Sequence, residues 1–289
     1  MIPVFDLHCD TPIYIKKKKF NHIQPSDLKP SILVGAIFAH FIYPKEKQPF
    51  DAGIRLVLST INYLKNKQKI NIVYDLNKID LNKTNIILGV EGGHIFDEDS
   101  FQFETLYELG VRIFTITWNN SNRFAHSAFD CDKKGLTKRG KKFIKFLRGY
   151  DVLIDLSHSS TKTALDVCEI AENPVFASHS CVRTLNPFIR NIDDHAIKAI
   201  TSLKGIVAVN FSKKHLGNYK VIDHINYLYD NFGLDSIGIG SDFDGIDDPI
   251  GKCPSGYEHL FNILTDTGFT RKMSEKIFYK NFLNLLKSV

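Results

Sequence analysis

The chain has 289 residues, 43% hydrophobic and 24% charged, with a formal net charge of +5; this near-average composition predicts a full core. Its apolar stretches fall far short of the roughly 20 residues that cross a bilayer, and neither a basic-then-apolar leader nor a lipid-anchor tail is evident. The five cysteines lack Cys-X-X-Cys spacing and read as free thiols, while the basic run Lys16 to Lys19 has no aromatic interleaving. A cytoplasmic protein without nucleic-acid or membrane partners is therefore expected.

In chain order, the first strand-like run spans 4–7, and His8 and Asp10 follow it two residues apart. On an extended segment those side chains share one side, and an imidazole beside a carboxylate suits a divalent metal such as zinc. Further strand-like runs cover 33–40, 86–90, 112–117, 152–156, 174–177, 205–210 and 236–240. Between them lie stretches of helical period, over 55–64, 101–109, 140–147, 161–171, 193–203 and 221–232. Apolar runs alternating with amphipathic helices predict a parallel sheet covered on its outside. At this length a closed (β/α)8 barrel fits better than an open sheet. Nothing reads as a linker, so 1–289 is expected to be one domain, with extra helices from about 257 to 289 packing on the outside.

In parallel α/β architectures, chemistry gathers at the carboxyl ends of the strands. Just past the runs stand His8 and Asp10, then Glu91 before Gly92 and Gly93, His158, His179 and Asp242. Any one of these alone is more simply a satisfied core or loop residue; six in register argue for a site. Three imidazoles and three carboxylates exceed the need of one zinc ion, which takes about three protein ligands and a water. Two metals sharing a carboxylate use them better. Glu91 is the natural bridge, since the glycines behind it let the backbone come close. His8 and Asp10 then complete one metal, and His158 with His179 the other. Asp242 is left to hold the bridging water and move its proton. Cys9 is turned away by strand alternation, Asp244 precedes a turn, and His94 and Ser180 are candidates for orienting ligand imidazoles. His22, His40, His195, His215, His224 and His259 show no pattern and read as structural or surface residues.

Taken together, the motifs resemble the membrane dipeptidase (renal dipeptidase-like) family, peptidase family M19, among the amidohydrolase-like metal barrels. The resemblance runs nearly end to end. It is carried by Asp6-Leu7-His8-Cys9-Asp10-Thr11-Pro12, Gly89-Val90-Glu91-Gly92-Gly93, Asp155-Leu156-Ser157-His158, Ser178-His179-Ser180, Arg190-Asn191 and Gly240-Ser241-Asp242-Phe243-Asp244-Gly245. It implies a barrel with two zinc ions that hydrolyses dipeptides, and a homodimer. It also implies the same ligand sets, Asp242 at the catalytic water, and Arg190 gripping the substrate's terminal carboxylate.

One departure stands out. Mammalian-type members carry a substrate-touching histidine after the fourth strand, where this chain has Trp118, Asn119 and Asn120. Trp118 and Asn119 are therefore expected to line the substrate pocket; His126 is near enough in sequence to reach in from its loop, though it reads more simply as a plain loop histidine. In the expected reaction, a hydroxide held between the metals attacks the amide carbonyl, with Asp242 and the bridging Glu91 as catalytic groups. Manganese or cobalt would also suit the ligands. The alternatives are a hydrolase of another small amide, which would not depend on Arg190, and a silent metal-containing barrel that binds a peptide without turnover.

Overall fold

The computed structural model describes residues 2–96 and 100–289. Eight parallel strands run β1 (Val4–Cys9), β2 (Leu33–Phe41), β4 (Thr84–Glu91), β5 (Val111–Thr115), β6 (Leu153–Asp155), β7 (Val175–Phe176), β8 (Val207–Val209) and β9 (Ile237–Ile239). They pair in the order β7-β6-β5-β4-β2-β1-β9-β8. The two ends of that order meet. Ala177 N donates to the carbonyl of Ile206 at 2.9 Å, and Ala208 N donates to the carbonyl of Ala177 at 2.8 Å. The sheet is thus closed by backbone hydrogen bonds into the expected (β/α)8 barrel. All eight expected runs contribute to it, and strands buried on both faces explain why they read as near-continuous apolar segments.

One further strand, β3 (Ile70–Ile72), pairs with the start of β4 outside the barrel. Its three residues are too few to show a period, so no sequence signal announced it. The helices lie where the 3.6-residue period put them, and polar side chains mark several starts. Thr137 accepts from Gly140 N, Ser160 from Thr163 N and Asp193 from His195 N; each such cap contributes ~1 kcal/mol. No helix among the described residues is long and apolar enough to cross a membrane.

Two cores divide the apolar residues. The larger lies between barrel and helices, where Phe38, Leu88 and Val90 join Leu56, Phe143, Ile197 and Ile225. The smaller fills the barrel interior with Phe5, Leu7, Ile37, Ile87, Ile113 and Phe176. Gly35 faces this interior directly against the Phe5 ring, with no room for a Cβ.

The last helix corrects one expectation. Ser255–Asp266 packs on the outer core as expected, but the terminal helix Asn281–Leu286 belongs to the inner one. Its Phe282 ring lies 4.7 Å from that of Phe5 and 6.0 Å from that of Phe176. Asn281 Nδ2 fixes it by donating to the carbonyls of Leu234 and Ile237, both at 2.8 Å. This helix is a floor under the amino ends of the strands. The opposite end is left free for polar side chains.

Candidate metal centre and active site

At the carboxyl ends of the strands, three imidazoles converge on one carboxylate oxygen. Glu91 Oε1 lies 2.9 Å from His158 Nε2, 3.6 Å from His179 Nε2 and 3.6 Å from His8 Nε2. Asp10 Oδ2 lies 3.7 Å from His8 Nε2. Two groups of potential ligands result, His8–Asp10–Glu91 and Glu91–His158–His179, and they share Glu91. These are the two sets expected from the sequence. A third group of three, His8–Asp155–His179, is close enough to hold an ion, but the oxygens of Asp155 are already engaged. Oδ1 accepts from Ser157 N and Ser178 N at 3.0 and 2.9 Å, and Oδ2 accepts from Thr115 Oγ1 and Ser178 Oγ at 2.7 Å each.

The backbone is bent to aim these groups. His158, Asp242 and Asp244 have φ of 66, 62 and 70°, in a left-handed region that costs a non-glycine residue roughly 1–2 kcal/mol. Such strain persists where surrounding contacts over-determine it, and it clusters at functional sites. Here Asp242 N donates to the carbonyl of His8 at 3.0 Å and Asp10 N to the carbonyl of Phe243 at 2.9 Å, so the ends of β1 and β9 hold each other. Asp6 strengthens that junction. It accepts from His8 N at 3.2 Å and Ser241 N at 2.9 Å, and from the hydroxyls of Ser241 and Tyr257.

The electrostatics suit a cation. Burial opposes charge on His8, yet the carboxylates of Glu91, Asp10 and Asp242 push its imidazole up to about 10. Burial drives Glu91 well above the usual carboxylate range, with His8 pulling it back. Both shifts report a pocket short of positive charge. His158 and His179 behave oppositely: burial, with Arg190 and His8 nearby, holds both well below the usual imidazole range. Neutral imidazoles are the form that ligates. The residues therefore fit divalent metal. Buried His8 Nε2 and Asp10 Oδ1 have no hydrogen-bond partner, which is costly for polar atoms unless an ion satisfies them. Gly245 leaves the space between Asp10 and Asp242 clear, because a Cβ there would collide with both carboxylates.

Above the ligands lies a cavity of about 240 Å³, bordered by Trp118, Asn119, Arg190, His215, Asp242 and Asp244 among others. Arg190 is buried; its guanidinium lies 2.8 Å from His179 Nε2 and 3.3 Å from Ser180 Oγ. Trp118 forms a wall, its ring 4.6 Å from Phe41 and 6.3 Å from His158. Asn119 borders the cavity and has a further contact, its Oδ1 accepting from His158 Nδ1 at 2.8 Å. Asp242 Oδ2 accepts from Asn210 Nδ2 at 2.9 Å, and burial pushes its carboxyl up to about 6.

Several sequence expectations sort themselves here. His126 is the loop histidine of the simpler reading; its Nδ1 pairs with the carbonyl of Gly135 at 2.8 Å. His94 pairs with the carbonyl of Ile42 at 2.7 Å, and Ser180 contacts Arg190, so neither hydroxyl nor ring orients a ligand imidazole. Cys9 is fully buried in the outer core, as alternation required. Asp244 borders the cavity, but its oxygens accept from Thr11 Oγ1 and His22 N at 2.7 Å each. His215, read as structural, is instead a cavity residue beside Arg190, with its Nδ1 lacking a partner. Asp6, Asp155, Ser178 and Asn210 support the site unannounced.

A closed parallel barrel with acidic and imidazole side chains gathered at its carboxyl mouth defines a (β/α)8 barrel with a candidate metal centre. Comparison with known proteins makes this specific. The chain belongs to the membrane dipeptidase family (peptidase family M19), whose sequence profile matches residues 1–289. It is 28% identical to dipeptidase 3 of Mus musculus over 99% of this chain and 64% of the mouse protein. A Klebsiella pneumoniae protein from the pqqA 5′ region is 32% identical over 71% of this chain and 82% of its own. The fold matches a Rhodobacter sphaeroides metallo peptidase, solved with a phosphinate mimic of L-Ala-D-Ala, at a TM-score of 0.88 and 21% identity, covering 99% of each chain. It matches dipeptidase AC, a family M19 metallo peptidase, at 0.90 and 22% identity, covering 99% of this chain and 98% of that one.

Proposed function

We propose that the protein is a zinc-dependent dipeptidase, with residues 1–289 acting as one catalytic unit. The observation that carries this reading is the pairing of two ligand sets through Glu91 with a buried guanidinium at their edge, Arg190 lying 2.8 Å from His179 Nε2. A carboxylate held by Arg190 sits within about one residue of a carbonyl at the ligand cluster. Longer peptides would bury that charge elsewhere.

His8, Asp10 and Glu91 would hold one ion, and Glu91, His158 and His179 the other. Two bound divalent ions supply Lewis acidity and water acidic enough to ionise near neutral pH. Asp242 accepts the water's proton and returns it to the departing amine, acting as base and then acid. Its raised affinity for a proton, with Asn210 holding one oxygen in place, suits that exchange. Arg190 orients the substrate through its terminal carboxylate. Trp118 and Asn119 shape the opposite wall and exclude water from the bond being cut. The same reading includes a cytoplasmic location, supported by five free cysteines, and a homodimer, which sedimentation velocity will test.

Metal content and dipeptide hydrolysis on one preparation test the proposal, with wild type beside Asp242→Asn. Two ions per chain are expected in both. The variant is expected to lose on the order of 10²–10⁴ in kcat, the usual contribution of a positioned acid–base group. Two ions without wild-type turnover of L,L or L,D dipeptides would exclude the dipeptidase. Fewer than two ions at excess zinc would exclude the bridged site.

A further inference from the structure

Ser178 is fully buried on the barrel interior, immediately before the ligand His179, and its hydroxyl meets four groups. Oγ lies 2.7 Å from Asp155 Oδ2, 2.7 Å from His179 Nδ1, 3.3 Å from His8 Nδ1 and 3.2 Å from Ser157 Oγ. A hydroxyl has one proton to give. A carboxylate only accepts, so the short contact to Asp155 takes that proton. The oxygen then has only lone pairs to offer its other neighbours, so a bond from either imidazole requires N–H at that ring's Nδ1. When both rings ligate metal as neutral imidazoles, the unprotonated nitrogen left on each is Nε2, the atom 3.6 Å from Glu91 Oε1 in both rings.

The two rings served by this hydroxyl lie close together at a tilt, with centroids 3.7 Å and planes 34° apart. They fall in different ligand groups, His8 with Asp10 and Glu91, His179 with Glu91 and His158. We infer that Ser178, polarised by Asp155, is the positioning residue that fixes the tautomer of one histidine ligand in each half of the centre, coupling the two metal sites behind the ligands as Glu91 couples them in front. The inference rests on the two-metal reading above. His158, the third imidazole, is oriented separately by Asn119.

Asp155 gives the inference a directional test. Replacing it with asparagine keeps an oxygen for Ser157 N and Ser178 N and turns an amide N–H toward Ser178 Oγ. The hydroxyl proton is then released toward Ser157 Oγ or an imidazole Nδ1, and a ring that accepts it carries its own proton on Nε2, where no metal can bind. Removing the hydroxyl removes guidance; inverting it misdirects.

The experiment measures stepwise zinc affinity by chelator competition, and long-range proton–nitrogen spectra of the zinc-loaded protein, for wild type, Ser178→Ala and Asp155→Asn. Wild type is expected to bind two ions and show exchange-protected Nδ1–H resonances for His8 and His179. Ser178→Ala is expected to weaken both binding steps by roughly 10–100-fold, the usual effect of losing a ligand's supporting partner. Asp155→Asn is expected to bind one ion tightly at most. Thermal melts of the metal-free proteins separate this from general damage, because a purely structural role predicts a lowered melting temperature with zinc affinity retained by the folded fraction. Unchanged affinity for both ions in folded Ser178→Ala overturns the inference while leaving the two-metal centre standing. So does an unprotonated Nδ1 on either ring in loaded wild type, a result that needs no variant. Wild type binding fewer than two ions would instead overturn the two-metal reading, and the inference with it.

Discussion

Gly245 is the least conspicuous residue of the site and one of the least replaceable. The space beside its Cα is bounded by carboxylate oxygens of Asp10 and Asp242. Gly245→Ala is expected to reduce zinc stoichiometry below two by elemental analysis, with little change in the melting temperature of metal-free protein. Arg190 permits a second residue-level prediction. Arg190→Lys keeps the charge but loses the planar fork, so kcat/KM for free dipeptides should fall by about 10–100-fold, 1.4–2.8 kcal/mol. Dipeptides amidated at the carboxyl terminus should be cleaved equally poorly by both proteins; a preference of wild type for the amide would contradict the carboxylate role. The metal-ligand candidates were legible because each is an imidazole or carboxylate just past an apolar run. Their supports were not. Asp6 works on Ser241 and Tyr257, and Ser178 on His8, across more than 160 positions of sequence. A serine in such a motif does not say which imidazole it faces.

At the level of elements, periodicity located strands and helices but not which core a helix serves. The segment around Phe282 has an apolar face whether it lies against the barrel wall or beneath it. Only three-dimensional closure decides, and here the inner core has an open end that needs covering. Phe282 is buried between Phe5 and Phe176, so Phe282→Ala should cost about 3–5 kcal/mol by urea denaturation. A surface position for that helix would predict a far smaller loss, within about 0.5 kcal/mol. The short β7 and β8 were read too long for a related reason. Their flanking residues are apolar and buried, but the chain there turns to present His179 and Asn210 instead of extending the ladder.

For the molecule as a whole, acid should be destabilising through buried neutral histidines. His40 lies between the carbonyl of Gly89, 2.7 Å from Nδ1, and Thr60 Oγ1, 3.1 Å from Nε2, joining β2 to β4 and to the helix Pro49–Leu64. Burial lowers its pKa from 6.5 to about 4. The folded value lies below the unfolded one, so the unfolded chain takes up the extra proton as pH falls. The resulting stability is fully present above about 6.5 and is lost progressively toward about 4. At ~1.4 kcal/mol per unit, the span is at most roughly 3.5 kcal/mol. His40→Gln should flatten the curve of unfolding free energy against pH across that window, and equal slopes would contradict the account. Removing metal by chelation should lower the melting temperature at neutral pH, since Asp10, Glu91 and Asp242 then crowd one another around His8 with no ion to offset them.

The floor helix also makes the mouth of the barrel depend on residues far away in sequence. The candidate ligands His8 and Asp10 precede by some 230 residues the strand β9 that pairs with theirs. The residues that seal the interior beneath them, Phe282, Leu285 and Leu286, come later still. A growing chain can form its helices and pair its early strands while the mouth of the barrel is unfinished. The candidate ligands all lie within residues 8–179, but their frame is completed by β9 and the floor helix, so ion capture is expected to require those later elements as well.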